Sequence, residues 1–406
     1  MATLPSAFRR LAWSNLAAQS AEQIGLASAP ILAVLALGAD AGETGILQTA
    51  QTLPFLLLSI PAGILADRVS RPRLMAGAEA LRVAAFLAIV ILAMTGRLSL
   101  PALALLGFVG AAGTVAYGIA APALVPALVA RGSLALANRW IELARTVAFT
   151  AGPSLGGLLV GWIGGGPAFG IAAALSLAAV LLLAGLREPP RNAKASRAIM
   201  KDLAEGAGFV LHHPLLMPIL LTQVIFNIAF FILQAAYAPY ALGHLGLSAS
   251  QVGLTLACYG FGMVTGALLA PRIMERLSFG AVIGIGPVSG FVAAGVMLAT
   301  LWLPGFQLAC TSFFLMGAGP ILWVISTTTL RQSVTPPAML GRVSAINSLA
   351  YGARPVGAAI GTLVGGAFGA EACLIATAIG FLAQMLLILA SPATRLALPP
   401  ELQPAE

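Results

Sequence analysis

The sequence predicts an all-α membrane protein with twelve transmembrane helices arranged as two six-helix bundles. Three observations predict it. First, 59% of the 406 residues are hydrophobic and only 8% carry charge, whereas roughly a quarter of the residues in an average soluble domain are charged. Such a chain cannot cover itself with a water-compatible surface. Second, the apolar residues come in runs of about 20, enough for a helix rising 1.5 Å per residue to cross a hydrocarbon core of about 30 Å. Helices follow because lipid offers backbone polar groups no other partner. Third, the arginines fall between apolar runs, so the formal net charge of +8 is a topology signal before it is a sign of nucleic-acid binding.

The runs and their breakers place spans near residues 11–37, 44–66, 74–95, 99–129, 138–163 and 167–186, then 215–241, 248–270, 279–303, 305–330, 342–366 and 371–391. One long polar segment, 187–213, holds Arg187, Arg191, Lys194, Arg197 and Lys201. It divides the chain into an N-terminal six-helix bundle over 1–186, a cytoplasmic linker over 187–213 and a C-terminal bundle over 214–406. Arg68, Arg71 and Arg73 follow span 2, Arg131 follows span 4, Arg272 and Arg276 follow span 8, and Arg331 follows span 10, while the alternate loops hold only Arg97. The positive-inside rule then puts both termini and the linker in the cytoplasm of a bacterial-type inner membrane. Arg9 and Arg10 precede a stretch too long and too polar for a signal peptide, so it is expected to remain as the first helix.

The halves resemble each other. Asn15 and Gln223, Gln19 and Asn227, Gly38 and Gly246, and Gly45 and Gly253 pair at an offset of 208 residues. Ile141 and Ile346, Gly152 and Gly357, Gly156 and Gly361, and Gly161 and Gly366 pair at 205. Transporter halves related by an axis along the membrane normal leave symmetry of this kind.

Little points to metal or cofactor chemistry. Cys258, Cys310 and Cys373 are scattered through the spans without ligand spacing, His212 and His213 fall in the linker, and His244 lies at a span end. No paired ligands, Ser-His-Asp set or repeated filter loops suggest an enzyme or a channel, so no cofactor and no metal are expected.

After span 2 the chain reads Gly63-Ile64-Leu65-Ala66-Asp67-Arg68-Val69-Ser70-Arg71-Pro72-Arg73. This resembles the signature loop of the major facilitator superfamily, departing from it at Ser70 and Pro72. The resemblance implies a latch in which Gly63 allows close helix approach and Asp67, Arg68, Arg71 and Arg73 hold the two halves together on the cytoplasmic side in one state. Within span 5, Gly152-Pro153-Ser154-Leu155-Gly156-Gly157 is similar to the motif that marks exporters in that superfamily. The basic residue that many of its proton-driven drug exporters carry in span 4 is absent here, because residues 98–121 contain none. The stretches Asp202–Gly206, Val125-Pro126 to Asn138, and Gly341-Arg342-Val343 look like its enterobactin-exporter-like branch, also called transmembrane secretion effectors. The resemblance implies the major facilitator fold, with spans 1, 4, 7 and 10 around a central cavity.

Polar residues inside spans are costly and therefore functional candidates. Asn15, Gln19 and Glu22 share one stripe of span 1, and Gln223, Asn227 and Gln234 share one of span 7. Either stripe can line the cavity or bond helices together. Glu22, the only carboxylate of span 1, is a candidate to load and release a proton, or else a structural partner for an arginine such as Arg354. Arg354 in turn is placed to hold an anionic substrate group. Glu79 with Arg82, and Glu142 with Arg145, read as local or latch ion pairs near cytoplasmic ends. The expected activity is proton-coupled export of a small amphiphilic compound, drug- or siderophore-like, by alternating access in a monomer. Lysophospholipid flipping and substrate uptake are the alternatives. The bilayer, protons and a small molecule are the expected partners, and nucleic acid is not.

Overall fold

The computed structural model describes residues 4–130, 133–186, 188, 199–336 and 339–398. The side chains of Asp67, Ala135 and residues 199–202 fall outside the described residues, as do Arg131, Arg187, Arg191, Lys194 and Arg197. Among the described residues there are helices and no strand. The N-terminal half contains α1 (Ser6–Leu37), α2 (Ala41–Leu57), α3 (Ser59–Arg68), α4 (Arg71–Met94), α5 (Leu100–Leu128), α6 (Leu134–Ile163) and α7 (Gly165–Leu183). Then come α8 (Ile199–His212), α9 (Leu216–Pro239), α10 (Ala249–Arg276), α11 (Phe279–Ala299), α12 (Phe306–Val334), α13 (Leu340–Leu349) and α14 (Arg354–Ala390).

Ten helical segments are long and apolar enough to cross a membrane, and α2 with α3, bent by 47° at their junction, make an eleventh. The segment Leu340–Ala390 has 51 residues, a length of about 77 Å if it were one straight helix and so more than twice the hydrocarbon thickness. It turns back at Gly369, whose φ of 84° only glycine adopts without strain. Two spans result, and the described residues make twelve in all. Where a single second span was expected, the chain bends between α2 and α3, with Pro54 and Pro61 on either side of the joint. The linker holds a helix: α8 ends at His212, which is therefore helical rather than in a loop. Leu203, Ala207 and Val210, spaced i, i+4 and i+7, pack against Val343 and Ile346 of α13. Beside this contact Arg342 Nη1 donates to Glu205 Oε2 at 2.6 Å.

The offsets in sequence correspond to physical contacts. Gly38 and Gly246 both adopt left-handed φ, 67° and 62°, and each precedes a capping box, Asp40 with Glu43 before α2 and Ser248 with Gln251 before α10. A Cβ built on Gly156 would lie 2.9 Å from Ile24 O and 3.0 Å from Ala27 Cβ; one on Gly361 would lie 3.2 Å from Ile232 O and 2.7 Å from Ala235 Cβ. Thus α6 meets α1 as α14 meets α9. Only glycine permits both approaches.

The two halves meet along α2 with α14 and α6 with α10. Built on Gly45, a Cβ would stand 2.6 Å from Thr362 Cα; on Gly253, 2.7 Å from Gly157 Cα; on Gly42, 2.7 Å from Gly366 Cα. Thr44 Oγ1 donates to Ala235 O at 2.7 Å across the same seam. These contacts lie at the end opposite the termini, because the chain has crossed an odd number of times where α2 and α10 begin, whereas twelve crossings bring its two ends to one side. At the termini end the halves stand apart, leaving Leu143 and Val147 of α6 and Leu349 of α13 exposed.

Candidate functional site

Between the halves lies a central cavity enclosing about 1260 Å³ of empty space. Its walls come from α1, α2, α6, α9, α10 and the start of α14, with Phe313 reaching in from α12. The α5 helix lines a side pocket instead, so the cavity walls differ from the expected spans 1, 4, 7 and 10.

One wall is built around Arg354. A 3-10 turn, Ala350–Ala353, breaks the span just before it, and Pro355 stands in the first turn of α14. Irregular backbone at this depth is tolerated where it borders a cavity. The guanidinium lies 4.5 Å from the Tyr351 ring centroid, 5.4 Å from Phe231 and 5.7 Å from Phe55. Its Nε donates to Asn227 Oδ1 at 3.2 Å, and Asn227 Nδ2 donates to Gln223 O at 2.9 Å. Asn227 therefore orients Arg354 from the neighbouring helix. Among the described residues no carboxylate pairs with this arginine, so its remaining N–H donors face the cavity, cradled by aromatic rings.

The opposite wall carries Glu22, which makes no hydrogen bond or ion pair among the described residues. It does not pair with Arg354, although both line the same volume. Glu22 stands at a junction: together with Leu26, Gln51 and Phe55 it also lines the side pocket, of about 450 Å³, that runs into the N-terminal half. At the far end of that pocket Arg82 Nη1 meets Glu79 Oε1 at 2.7 Å, with the two side chains 2% and 0% exposed. Arg82 also donates to Ala18 O at 3.2 Å and to Thr114 Oγ1 at 2.5 Å. This pair was expected near a cytoplasmic end. It sits instead toward the middle of α4, buried by α1, α5 and α7, because Arg82 lies eleven residues into a 24-residue helix. Gln51 Oε1, on the wall of the pocket, is buried without a hydrogen-bond partner, which marks the pocket as a place for water. Glu142 and Arg145, by contrast, form an exposed pair at 3.6 Å at the open end.

The remaining candidates are distributed unequally. Gln234 lines the cavity with Asn227. Asn15 donates to Ile141 O and Gln223 to Asn347 O, both at 3.4 Å, so these two bond α1 to α6 and α9 to α13. Gln19 is half-buried beside neither pocket. In the export-type motif, Gly152 and Gly156 pack on α1, Pro153 lines the cavity and Gly157 meets Gly253 across the seam. In the latch loop, an added Cβ at Gly63 would meet nothing within 4 Å, because this end of the molecule is open. Arg71 Nη1 donates to Ala123 O at 2.8 Å and to Glu188 Oε1 at 3.2 Å, while Arg68 and Arg73 are exposed. The side chain of Asp67 lies outside the described residues.

Sequence reasoning missed the α2 wall and most of the aromatic lining. Gln48, Gln51 and Phe55 recur at i, i+3 and i+7, and Phe226 and Phe230 at i and i+4 with their rings stacked at 5.7 Å. The helical period of those residues was the available signal.

The model for the Major Facilitator Superfamily matches residues 11–353. An enterobactin exporter, EntS, of Citrobacter koseri is 30% identical over 321 residues, covering 78% of this chain and 74% of the exporter. A bacterial homologue of the iron transporter ferroportin, crystallised in an inward-facing state, superposes with a TM-score of 0.76 at 16% identity, over 94% of this chain and 98% of that one. The nucleoside transporter NupG superposes with a TM-score of 0.71 at 14% identity, over 95% of this chain and 98% of that one. At such identities the solved structures report the fold alone.

Proposed function

The chain belongs to the major facilitator superfamily, whose members are transporters rather than enzymes, and we propose that it exports a small amphiphilic organic compound in exchange for protons. The observation that carries this reading is the pairing of opposite walls in one cavity: the aromatic-boxed Arg354 faces the volume that Glu22 also faces. A compound with an anionic group and an apolar or aromatic body fits the first wall, in keeping with the likeness to enterobactin exporters. Its negative group satisfies donors that the protein leaves free. Glu22 supplies the coupling. A carboxyl group that meets different surroundings as the cavity alternates between compartments changes its proton occupancy with the state, and the proton gradient then drives the cycle.

With the termini on the cytoplasmic side of the inner membrane, as the arginine-rich loops argue, the cavity is open to the cytoplasm and sealed toward the outside. An exporter loads its substrate in this state. Inverted vesicles with an imposed pH gradient test the reading, with enterobactin as the first compound offered. Wild-type protein is expected to accumulate the compound only with the gradient. Glu22→Gln, which mimics the protonated group, should bind the compound as wild type does but lose the dependence on the gradient. Gradient-driven accumulation by Glu22→Gln at the wild-type level would falsify the coupling role.

A further inference from the structure

The arginines of the loop between α3 and α4 have different fates. Arg71 is held on both sides, by Ala123 O and by Glu188, whose Oε2 also accepts from the Arg71 backbone N–H at 2.9 Å. Arg68 and Arg73 are exposed, and neither makes a hydrogen bond or ion pair among the described residues. Both stand at one end of a groove between α3, α4 and α5 that encloses about 1210 Å³ of space open to the outside. Leu65, Leu74 and Leu81 form its sides, and Ala112 and Ala116 its floor. None of its lining residues borders the central cavity.

Backbone geometry makes the groove. The 47° bend swings α3 away from the line of α2, while α4 and α5 close tightly beneath it, where a Cβ on Gly113 would lie 2.7 Å from Ala78 O. Gly77 widens the space further, since a Cβ there would meet nothing within 4 Å. From Arg73 to Leu81 the groove follows α4 for about 12 Å at 1.5 Å per residue, most of the roughly 15 Å depth of one hydrocarbon leaflet. A cationic rim at the interface with an apolar channel running inward from it matches one molecular shape.

We propose that this groove binds one anionic phospholipid from the leaflet on the termini side. Its phosphate lies between Arg68 and Arg73, and one acyl chain lies along α4 past Gly77. Guanidinium groups pair with phosphate oxygens through forked N–H donors, and anionic lipid concentrates basic side chains at the interface. A soluble anion would use the two arginines but leave the apolar channel empty. The occupant is therefore a lipid.

The test uses the purified full-length protein and dioleoyl-phosphatidylglycerol, with dioleoyl-phosphatidylcholine as the uncharged comparison. Bound lipid is counted by native mass spectrometry, and thermal melting is followed in parallel. Wild-type protein should retain one phosphatidylglycerol after delipidation and melt higher with it than with phosphatidylcholine. Gly77→Leu fills open space, so it should melt as wild type in phosphatidylcholine and bind phosphatidylglycerol at least tenfold more weakly. Arg68→Gln with Arg73→Gln should erase the preference for the anionic lipid. Wild-type binding by Gly77→Leu, or a preference that survives loss of both arginines, overturns the proposal. Equal protection by inorganic phosphate would do so as well, by reducing the site to a simple anion site.

Discussion

Arg354 and Asn227 are joined by a single 3.2 Å hydrogen bond from Nε to Oδ1, and that bond fixes the plane of the guanidinium against Tyr351. The bond crosses from α14 to α9, so the orientation of the arginine depends on a second helix. Arg354→Lys keeps the charge but loses the planar fork and its contacts with three rings, and it should weaken binding of the transported compound about tenfold. Asn227→Ala should weaken it less, through misorientation alone. Equilibrium binding of the labelled compound checks both, and Arg354→Lys at wild-type affinity would remove Arg354 from the site.

Removing one member of the Glu79 and Arg82 pair leaves a charge buried without its partner, at a cost of about 3–5 kcal/mol. Arg82→Met alone should therefore melt well below wild type. The double variant Glu79→Gln with Arg82→Met removes both charges and should recover most of the loss. Fluorescence-detected melting distinguishes these outcomes; a double variant that melts as low as the single one would show that the two side chains are not one energetic unit.

Gly157→Leu should change conformation more than folding. The new side chain has no room against Gly253 in the state seen here, and overpacking of about 1–3 kcal/mol shifts a two-state balance roughly five- to a hundred-and-fiftyfold toward the state in which this end is open. Spin labels at Ile46 and Phe368, both exposed near the seam, should report a longer distance distribution in the variant. An unchanged distribution would mean that the seam tolerates the bulk.

Acid should loosen the junction of α8 and α9. His213 Nδ1 accepts from the backbone N–H groups of Leu215 and Leu216 at 3.2 and 3.4 Å, which requires that nitrogen to be unprotonated. Burial holds the His213 pKa below its ordinary value of 6.5, so just below that value the folded chain binds fewer protons here than the unfolded one. The stabilisation is complete above about 6.5 and is lost as pH falls from there through the lowered folded value. His213→Asn keeps an acceptor without that titration. Its melting temperature should fall less than that of wild type between about pH 7.5 and 5.5, and parallel curves would remove His213 from the junction.

The spans were legible because lipid imposes one rule, an apolar helix of fixed minimum length, on every crossing segment. The α8 helix escaped that rule, since it lies among charges and is specified only by the period of Leu203, Ala207 and Val210. Glu22 and Arg354 were legible as candidates because ionisable groups inside spans are rare. Which neighbours they face was not. Asn15, Gln19 and Glu22 share a stripe, yet α1 is covered by α6 where Asn15 lies and borders open space only from Glu22 onward. A stripe defines a direction, and the neighbouring helices decide what lies in that direction at each depth. The burial of Arg82 depends in the same way on α1, α5 and α7 converging on one point.

The seam between the halves is smooth. Gly42 faces Gly366, Gly45 faces Thr362 and Gly157 faces Gly253, so at these three points backbone meets backbone or a small side chain. Among the described residues, two hydrogen bonds cross it, Thr44 to Ala235 and Thr49 to Thr362, and no ion pair does. Parting such a surface breaks little beyond dispersion contacts and two modest bonds. The closed end of this transporter is therefore held by close fit rather than by a bolt, and opening it requires no buried ion pair to be broken among the described residues.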